Sequence, residues 1–188
     1  CNKCIRNCPV FPSNSAVENN KVNVVLDACI DCGECIDVCT HNAREYTDDT
    51  KEFFDAVKNG QKITVVIAPA FIANYPAQYK RILGYLKELG VSHIYSVSFG
   101  ADICTWGYLK YFEKTGKKGM ISSPCPAVVD YIEKYRKELI EYMMPVYSPV
   151  MCMAKYLKKY EHITEKIAFL SPCIAKKSEI NDKNCEQL

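Results

Sequence analysis

The residues of this chain best suited to chemistry are its thiols. Four of them stand in the run Cys29-Ile-Asp-Cys32-Gly-Glu-Cys35-Ile-Asp-Val-Cys39. At these spacings three cysteines can each take one corner of a cubane iron–sulfur cluster, and the fourth reaches a second cluster. A clipped copy opens the chain as Cys1-Asn-Lys-Cys4-Ile-Arg-Asn-Cys8-Pro9. With ligation crossed between the copies, Cys29, Cys32, Cys35 and Cys8 are expected to hold one [4Fe–4S] cluster. Cys1, Cys4 and Cys39 are expected to hold three corners of a second, and a complete first copy would place the fourth thiol three positions before Cys1. Zinc also takes Cys-x-x-Cys pairs, but such sites normally use two pairs and have no use for a third cysteine or a following proline. Thr40 stands where the second copy would carry that proline.

Two more thiols sit in a different setting. The segments Ile67-Ala-Pro69-Ala, Ile121-Ser-Ser-Pro124-Cys125-Pro126 and Phe169-Leu-Ser-Pro172-Cys173 share one design, an apolar run that breaks into a proline-bearing loop. Ligands of open parallel sheets gather beyond the carboxyl ends of strands. Cys125 and Cys173 are therefore expected to converge on one object, a metal centre. Their alternative is a role as small buried hydrophobes, which free cysteine often fills. Cys104 and Cys152 have no partner spacing and read as packing residues, Cys185 as incidental, and Trp106 as core. His41, His93 and His162 are isolated and carry no assigned chemistry.

The elements that must position these groups follow from pattern and punctuation. Pro12, Ser13, Asn14, Ser15, Asn19 and Asn20 mark a loop between the two cysteine copies, and Lys21–Leu26 reads as a short strand. Thr50 can cap a helix carrying Phe53, Phe54 and Val57, ended by Asn59-Gly60. The β-branched run Ile63–Ile67 predicts a buried parallel strand. Further helices are expected near 76–89, 101–114, 127–142 and 150–160, with strands near 93–97, 118–121, 145–147 and 166–170. Lys134, Arg136, Lys137 and Glu138 read as a solvated helix face. The fold class is therefore α/β: a small two-cluster ferredoxin-like module over residues 1–47, then a mostly parallel βα sheet over residues 48–188.

Composition limits the partners. The net charge of +2, from 24 basic and 22 acidic residues, implies no nucleic acid and no membrane surface. No apolar run is long enough to span a bilayer, and no glycine-rich loop suggests a nucleotide. Seven of the twelve cysteines fall in the first 39 residues. A disulfide scaffold would spread them, so the clustering argues for a reducing, cytoplasmic setting.

Taken in order, these motifs resemble the catalytic subunit of [FeFe] hydrogenases and their sensory, hydrogenase-like relatives. The resemblance rests on the cysteine copies, Ala68-Pro69-Ala70, Phe99-Gly-Ala-Asp102, Ser122-Ser-Pro-Cys125-Pro126-Ala127, Ser148-Pro149 and Ser171-Pro172-Cys173-Ile-Ala-Lys176-Lys177-Ser-Glu179. It implies that residues 48–188 are the N-terminal part of the hydrogenase α/β domain. Cys125 and Cys173 would ligate an active-site [4Fe–4S] cluster bridged to a diiron site, Lys176 would donate to a cyanide on that diiron site, and Ala68 and Pro69 would line its pocket. The other two ligands would come from a glycine-rich signature beyond Leu188, so the fragment alone is expected to be inactive. Electrons would pass to a ferredoxin or other redox protein, with hydrogen and protons as substrates.

The departures point toward slow turnover. Pro124 stands where the family carries its proton-delivering thiol, Tyr108 and Tyr111 where it carries acids, Met144 near its serine, and Ser171 where it has a pocket methionine. Proline has no proton to move, and a phenol of pKa about 10 relays poorly. The expectation is a hydrogenase-type oxidoreductase of the sensory or slow branch. The alternatives are a regulatory redox or hydrogen sensor without significant catalysis, and a plain electron-transfer ferredoxin-like protein.

Overall fold

The computed structural model describes residues 1–11, 13–16 and 21–181. The expectations made for Pro12, Asn19, Asn20 and Cys185 lie outside the described residues.

The two cysteine copies fold alike. Helix α1 (Lys3–Arg6) begins two residues after Cys1, and α2 (Glu34–Asp37) two residues after Cys32. Each is entered through a left-handed residue, Asn2 (φ 57°) and Gly33 (φ 87°), and the two turns pack on each other. Between them β1 (Asn14–Ala16) pairs antiparallel with β2 (Val22–Val24). The stretch expected to be a plain loop thus contributes a strand, and the strand expected at 21–26 shortens to three residues. Ser13 and Asn14 are buried despite their polarity, and their partners prove to be the cluster thiols and Arg44.

The second part is built on β3 (Ile63–Ile67), buried at every residue. Helix α3 (Thr50–Lys58) precedes it. The Asp48 carboxylate, rather than the Thr50 side chain, caps this helix by accepting from the Thr50 N–H at 3.2 Å and its hydroxyl at 2.9 Å. After β3 come α4 (Ala70–Asn74), α5 (Tyr79–Glu88), β4 (His93–Ser96), α6 (Ser98–Thr115), α7 (Pro126–Tyr135), α8 (Pro149–Lys159), β5 (Lys166–Leu170) and α9 (Lys176–Ile180). The sheet has order β4-β3-β5, all parallel, with Ile67 opposite both Ser96 and Leu170. Ile63, Val65 and Ile67 pack with Val57, Phe71, Leu86 and Val91. Val66 points the other way, into Val97, Val150, Met153 and Leu157. Full burial of a side chain such as Val66 or Leu157, both 0% exposed, contributes about 1.5–3 kcal/mol.

Two expected strands do not form. Of residues 118–121 only Ile121 pairs, in one parallel bridge with Met143, and residues 145–147 form no strand. The helix expected over 127–142 breaks at Arg136 into α7 and a 3-10 turn, Lys137–Tyr142. Trp106 is 62% exposed and so is not part of the core. Helices α6 and α8 pack closely against each other. A side chain at Gly100 would begin 2.1 Å from the Pro149 carbonyl oxygen. Among the described residues no helix is long and apolar enough to cross a membrane.

Candidate metal centre

Four thiols face one hollow. Cys8, Cys29, Cys32 and Cys35 line it together with Pro9, Ser13, Asn14 and Gly33, which is the set that crossed ligation requires of one cluster. Among the described residues, no three His, Cys, Asp or Glu side chains stand close enough to share a single metal ion. A cubane takes each thiolate on its own iron, and the four thiols around this hollow are a donor set of that kind.

The thiols sit in unequal fields. Burial raises the Cys8 thiol, but hydrogen bonds from Ser13 and Asn14 outweigh it and leave Cys8 below the ordinary thiol range. The Ser13 hydroxyl lies 3.0 Å from Cys8 Sγ, and as a thiol Cys8 also donates to the Val10 carbonyl at 3.0 Å. Burial raises Cys29 and Cys35; the Asp31 N–H at 3.4 Å partly offsets this at Cys29, and the Arg44 charge partly offsets it at Cys35. Cys39 is lowered by backbone N–H donors from the turn that follows it, chiefly that of Ala43 at 3.4 Å. Metal ligation needs the deprotonated thiol, so such donors ease it.

Cys4 and Cys39 are half-buried and Cys1 is exposed. Arg44 was not singled out in the sequence, yet it organises this side of the module. Its Nη2 donates to Cys4 Sγ at 3.3 Å and to Asn14 Oδ1 at 3.0 Å, and its Nη1 to the Val22 carbonyl at 3.4 Å. An arginine five residues past the last cysteine of a motif was the only signal available.

The second group forms at the carboxyl edge of the sheet. The Ala68 N–H donates to the Leu170 carbonyl at 3.1 Å, so Ala68-Pro69 and Ser171-Pro172-Cys173 leave the sheet side by side. Cys125, the residue before α7, and Cys173 are both exposed, so neither is a buried hydrophobe. Lys176 joins their loops: its Nζ donates to the Pro124 carbonyl at 2.9 Å and to Glu179 Oε2 at 2.6 Å. With its side chain 14% exposed, it is not a solvated surface lysine. Its neighbour Lys177 instead pairs with Asp49 at 2.8 Å.

Among the described residues, contacts between residues 1–47 and the βα domain include two at the loops of the first hollow. At the far end of α7 the Tyr135 hydroxyl donates to the Ala28 carbonyl and Lys134 Nζ to the Cys29 carbonyl, both at 2.6 Å. Lys134 therefore has a partner beyond solvent. A Cβ on Gly33 would meet Ile174, the residue after Cys173, at 3.4 Å. A helix and a loop that leave the Cys125–Cys173 edge thus both end on the loops of the first hollow.

Two side chains on α6 and α8 are pushed far up in pKa. Tyr108 is pushed up to about 12, first by burial and then by its hydrogen bond with Cys104, and its hydroxyl oxygen accepts from the Ser123 N–H at 3.4 Å. Burial likewise pushes Cys152 up to about 11, with Cys104 adding to the rise. Both groups keep their protons. Nearby, Ser148 is 3% exposed and its Oγ has no hydrogen-bond partner among the described residues; it lines a hollow of about 400 Å³ with Ser123, Met144, Ser178 and Glu179.

Comparison with known proteins adds to this geometry. The model of the iron only hydrogenase large subunit, C-terminal domain, matches residues 61–187, and that of a 4Fe-4S dicluster domain matches residues 1–40. The chain is 23% identical to the nuclear prelamin A recognition factor of Rattus norvegicus, over 83% of this chain and 41% of that protein. It is 24% identical to the NADP-reducing hydrogenase subunit HndD of Solidesulfovibrio fructosivorans, over 85% and 32%. It is 23% identical to the cytosolic Fe-S cluster assembly factor NAR1 of Kluyveromyces lactis, over 95% and 42%. The chain thus spans under half the length of these relatives.

Proposed function

The chain belongs to the iron-only hydrogenase large-subunit family and carries a 4Fe-4S dicluster module; on that premise we propose that it conducts electrons between two [4Fe–4S] clusters and a hydrogen-binding site at the Cys125–Cys173 edge. The observation that carries this reading is the tie made by Lys176, which draws the Pro124–Cys125 loop to the Cys173 loop. A plain ferredoxin-like electron carrier has no need of it.

In this reading Cys29, Cys32, Cys35 and Cys8 hold the inner cluster, and Cys1, Cys4 and Cys39 contribute to the outer one. Cys125 and Cys173 hold two corners of a third cubane. A diiron group bridged to that cubane would supply the metal-centred interconversion of hydrogen with two protons and two electrons. The protein's part is to hold and orient. Lys176 keeps a cationic donor beside Cys173, Ala68 and Pro69 shape the neighbouring wall, and α7 fixes the strand-end loop to the loop bearing Cys29. When bound, the inner and outer clusters would supply a one-electron route between that edge and a ferredoxin or other redox protein in the cytoplasm.

The lost proton route favours the sensory or slow branch. Pro124 offers no proton at all, and Tyr108, pushed up to about 12, holds its own. A regulatory redox or hydrogen sensor without significant catalysis is the second reading, and the same tyrosine supports it.

The test is to load the full protein with a diiron carbonyl–cyanide cofactor and record the infrared stretches of both ligands. Bands in the unaltered protein that vanish in Cys125→Ser and Cys173→Ser support the reading. A protein that keeps its cubanes but never shows such bands overturns it, and would act more like the relatives named as assembly factors. Where bands appear, hydrogen turnover comparable to fast proton-reducing relatives would exclude the slow or sensory branch.

A further inference from the structure

We propose that Arg44 and Ser13 set the reduction potentials of the two clusters and make the outer cluster the easier to reduce. This rests on the assignment of Cys8 to the inner cluster and Cys4 to the outer one.

Each residue hydrogen-bonds the sulfur of a different cluster, and the Arg44 charge also reaches Cys35 of the inner one more weakly than its direct bond to Cys4. Arg44 Nη2 stands 3.3 Å from Cys4 Sγ. Its guanidinium is held in place by Asn14 Oδ1 at 3.0 Å and the Val22 carbonyl at 3.4 Å, one anchor from each strand of the hairpin. Asn14 is 3% exposed, so this anchor is already fixed before a cluster arrives. Ser13, 0% exposed, places its hydroxyl 3.0 Å from Cys8 Sγ. A ligating thiolate has no proton to give, so the serine must be the donor there, and the Val10 carbonyl near the same sulfur has none to offer.

Reducing a cluster adds one electron, and part of its charge falls on the ligating sulfurs. Hydrogen bonds to sulfur and nearby positive charge stabilise that reduced form and raise the potential. A guanidinium brings a permanent full charge with its N–H, whereas a serine brings only a dipole. Charge-assisted hydrogen bonds are roughly twice as strong as neutral ones. The outer cluster, which Arg44 faces, is therefore held above the inner one. The inner cluster is the one whose loops meet α7 and Ile174, so electrons run downhill away from the Cys125–Cys173 edge. The pair is biased toward withdrawing electrons from that edge.

The experiment is a spectroelectrochemical titration of the full protein, loaded anaerobically with iron and sulfide and followed by paramagnetic resonance. Arg44→Gln should lower the reduced-to-oxidised ratio of the outer cluster about tenfold at a fixed potential, which is 59 mV for one electron, and move the inner cluster less. Arg44→Lys should keep most of the wild-type value. Ser13→Ala should lower the inner cluster alone, by roughly threefold. Loaded Arg44→Gln with an unchanged outer cluster, or with equal shifts in both clusters, overturns the proposal. Should Arg44→Gln fail to load, Arg44→Lys and Ser13→Ala decide, and an unmoved inner cluster in Ser13→Ala counts against it. Wild-type protein that takes up no iron instead sinks the ligand assignment itself, and that outcome is visible before any potential is measured.

Discussion

Replacing Gly100 by alanine should force α6 and α8 apart. The new methyl would stand 2.1 Å from the Pro149 carbonyl oxygen, 2.8 Å from Met153 Cβ and 3.0 Å from the Met153 nitrogen. Two of these atoms are α8 backbone, so no rotamer change relieves the clash. Bringing the first contact from 2.1 Å to an ordinary 3.4 Å needs a shift of about 1.3 Å. Overpacking of this kind costs about 1–3 kcal/mol and sometimes more. Parting the helices also loosens Met153 and Leu157 beneath β3, which puts the gross cost near the upper end of that range. Alanine's better helix propensity returns about 1 kcal/mol, leaving a net loss of about 2 kcal/mol. Gly84 is the control: it lies within α5, and a methyl added there would meet nothing within 4 Å. The same substitution there should stabilise by about 0.5–1 kcal/mol. In urea, with an m-value of about 2 kcal/mol/M, Gly100→Ala should lower the unfolding midpoint by about 1 M and Gly84→Ala raise it by about 0.3–0.5 M. A Gly100→Ala midpoint equal to or above wild type refutes the close approach of the two helices.

Other outcomes follow from single contacts. Lys176→Met strands the Glu179 carboxylate, only 15% exposed, and should cost about 2 kcal/mol in denaturant unfolding; Lys110→Met, at an exposed pair, should change stability by less than about 0.5 kcal/mol. Burial pushes the Glu165 carboxyl up, but its own backbone N–H, the Thr64 hydroxyl and His93 outweigh this and hold it below the ordinary glutamate range. Its contribution is therefore complete above that range and is lost as pH falls through the depressed value, so Glu165→Gln should flatten the acid limb of stability measured between pH 3 and 6. Tyr135→Phe removes the 2.6 Å bond to the Ala28 carbonyl and should speed amide exchange around residues 26–35 while leaving β3 untouched. Uniform exchange across both parts would contradict that. Chelating iron from the loaded protein should loosen residues 1–45 but not the β4-β3-β5 sheet, and unchanged protection of the first part would count against a cluster-dependent fold.

The parts of the fold that were legible in the sequence are those with local punctuation. Helices α7 and α8 announce themselves by Pro126 and Pro149 in their first turns, where proline's missing N–H costs nothing. Helix α6 stops at Gly116 (φ 66°), and β3 reads as buried because every residue from Ile63 to Ile67 is β-branched. What escaped was set by distant partners. The helix break at Arg136 has neither proline nor glycine to mark it. The segments near 118–121 and 145–147 have strand-like residues but no neighbouring run with which to pair. Strand β1 is three polar or small residues, and the burial of Asn14 makes sense only once Arg44 and Cys8 are placed around it. The cysteine spacing identified the thiols facing the first hollow, but not Ser13, Asn14 or Arg44, which occupy no fixed offset from them.

Helix α7 is held at both ends, by the Lys176 tie to Pro124 at its start and by the Tyr135 and Lys134 bonds at its finish. At 1.5 Å per residue its ten residues form a rod of about 15 Å. An inserted residue would turn the far end by about 100°, swinging both donors off the Ala28 and Cys29 carbonyls. The length of this helix is therefore closed to insertion and deletion. The exposed stretch before it, around Gly116 and Gly119, carries no such restraint. Grafts, tags or permuted ends belong in that stretch, and any variant that lengthens α7 must release one of its two grips.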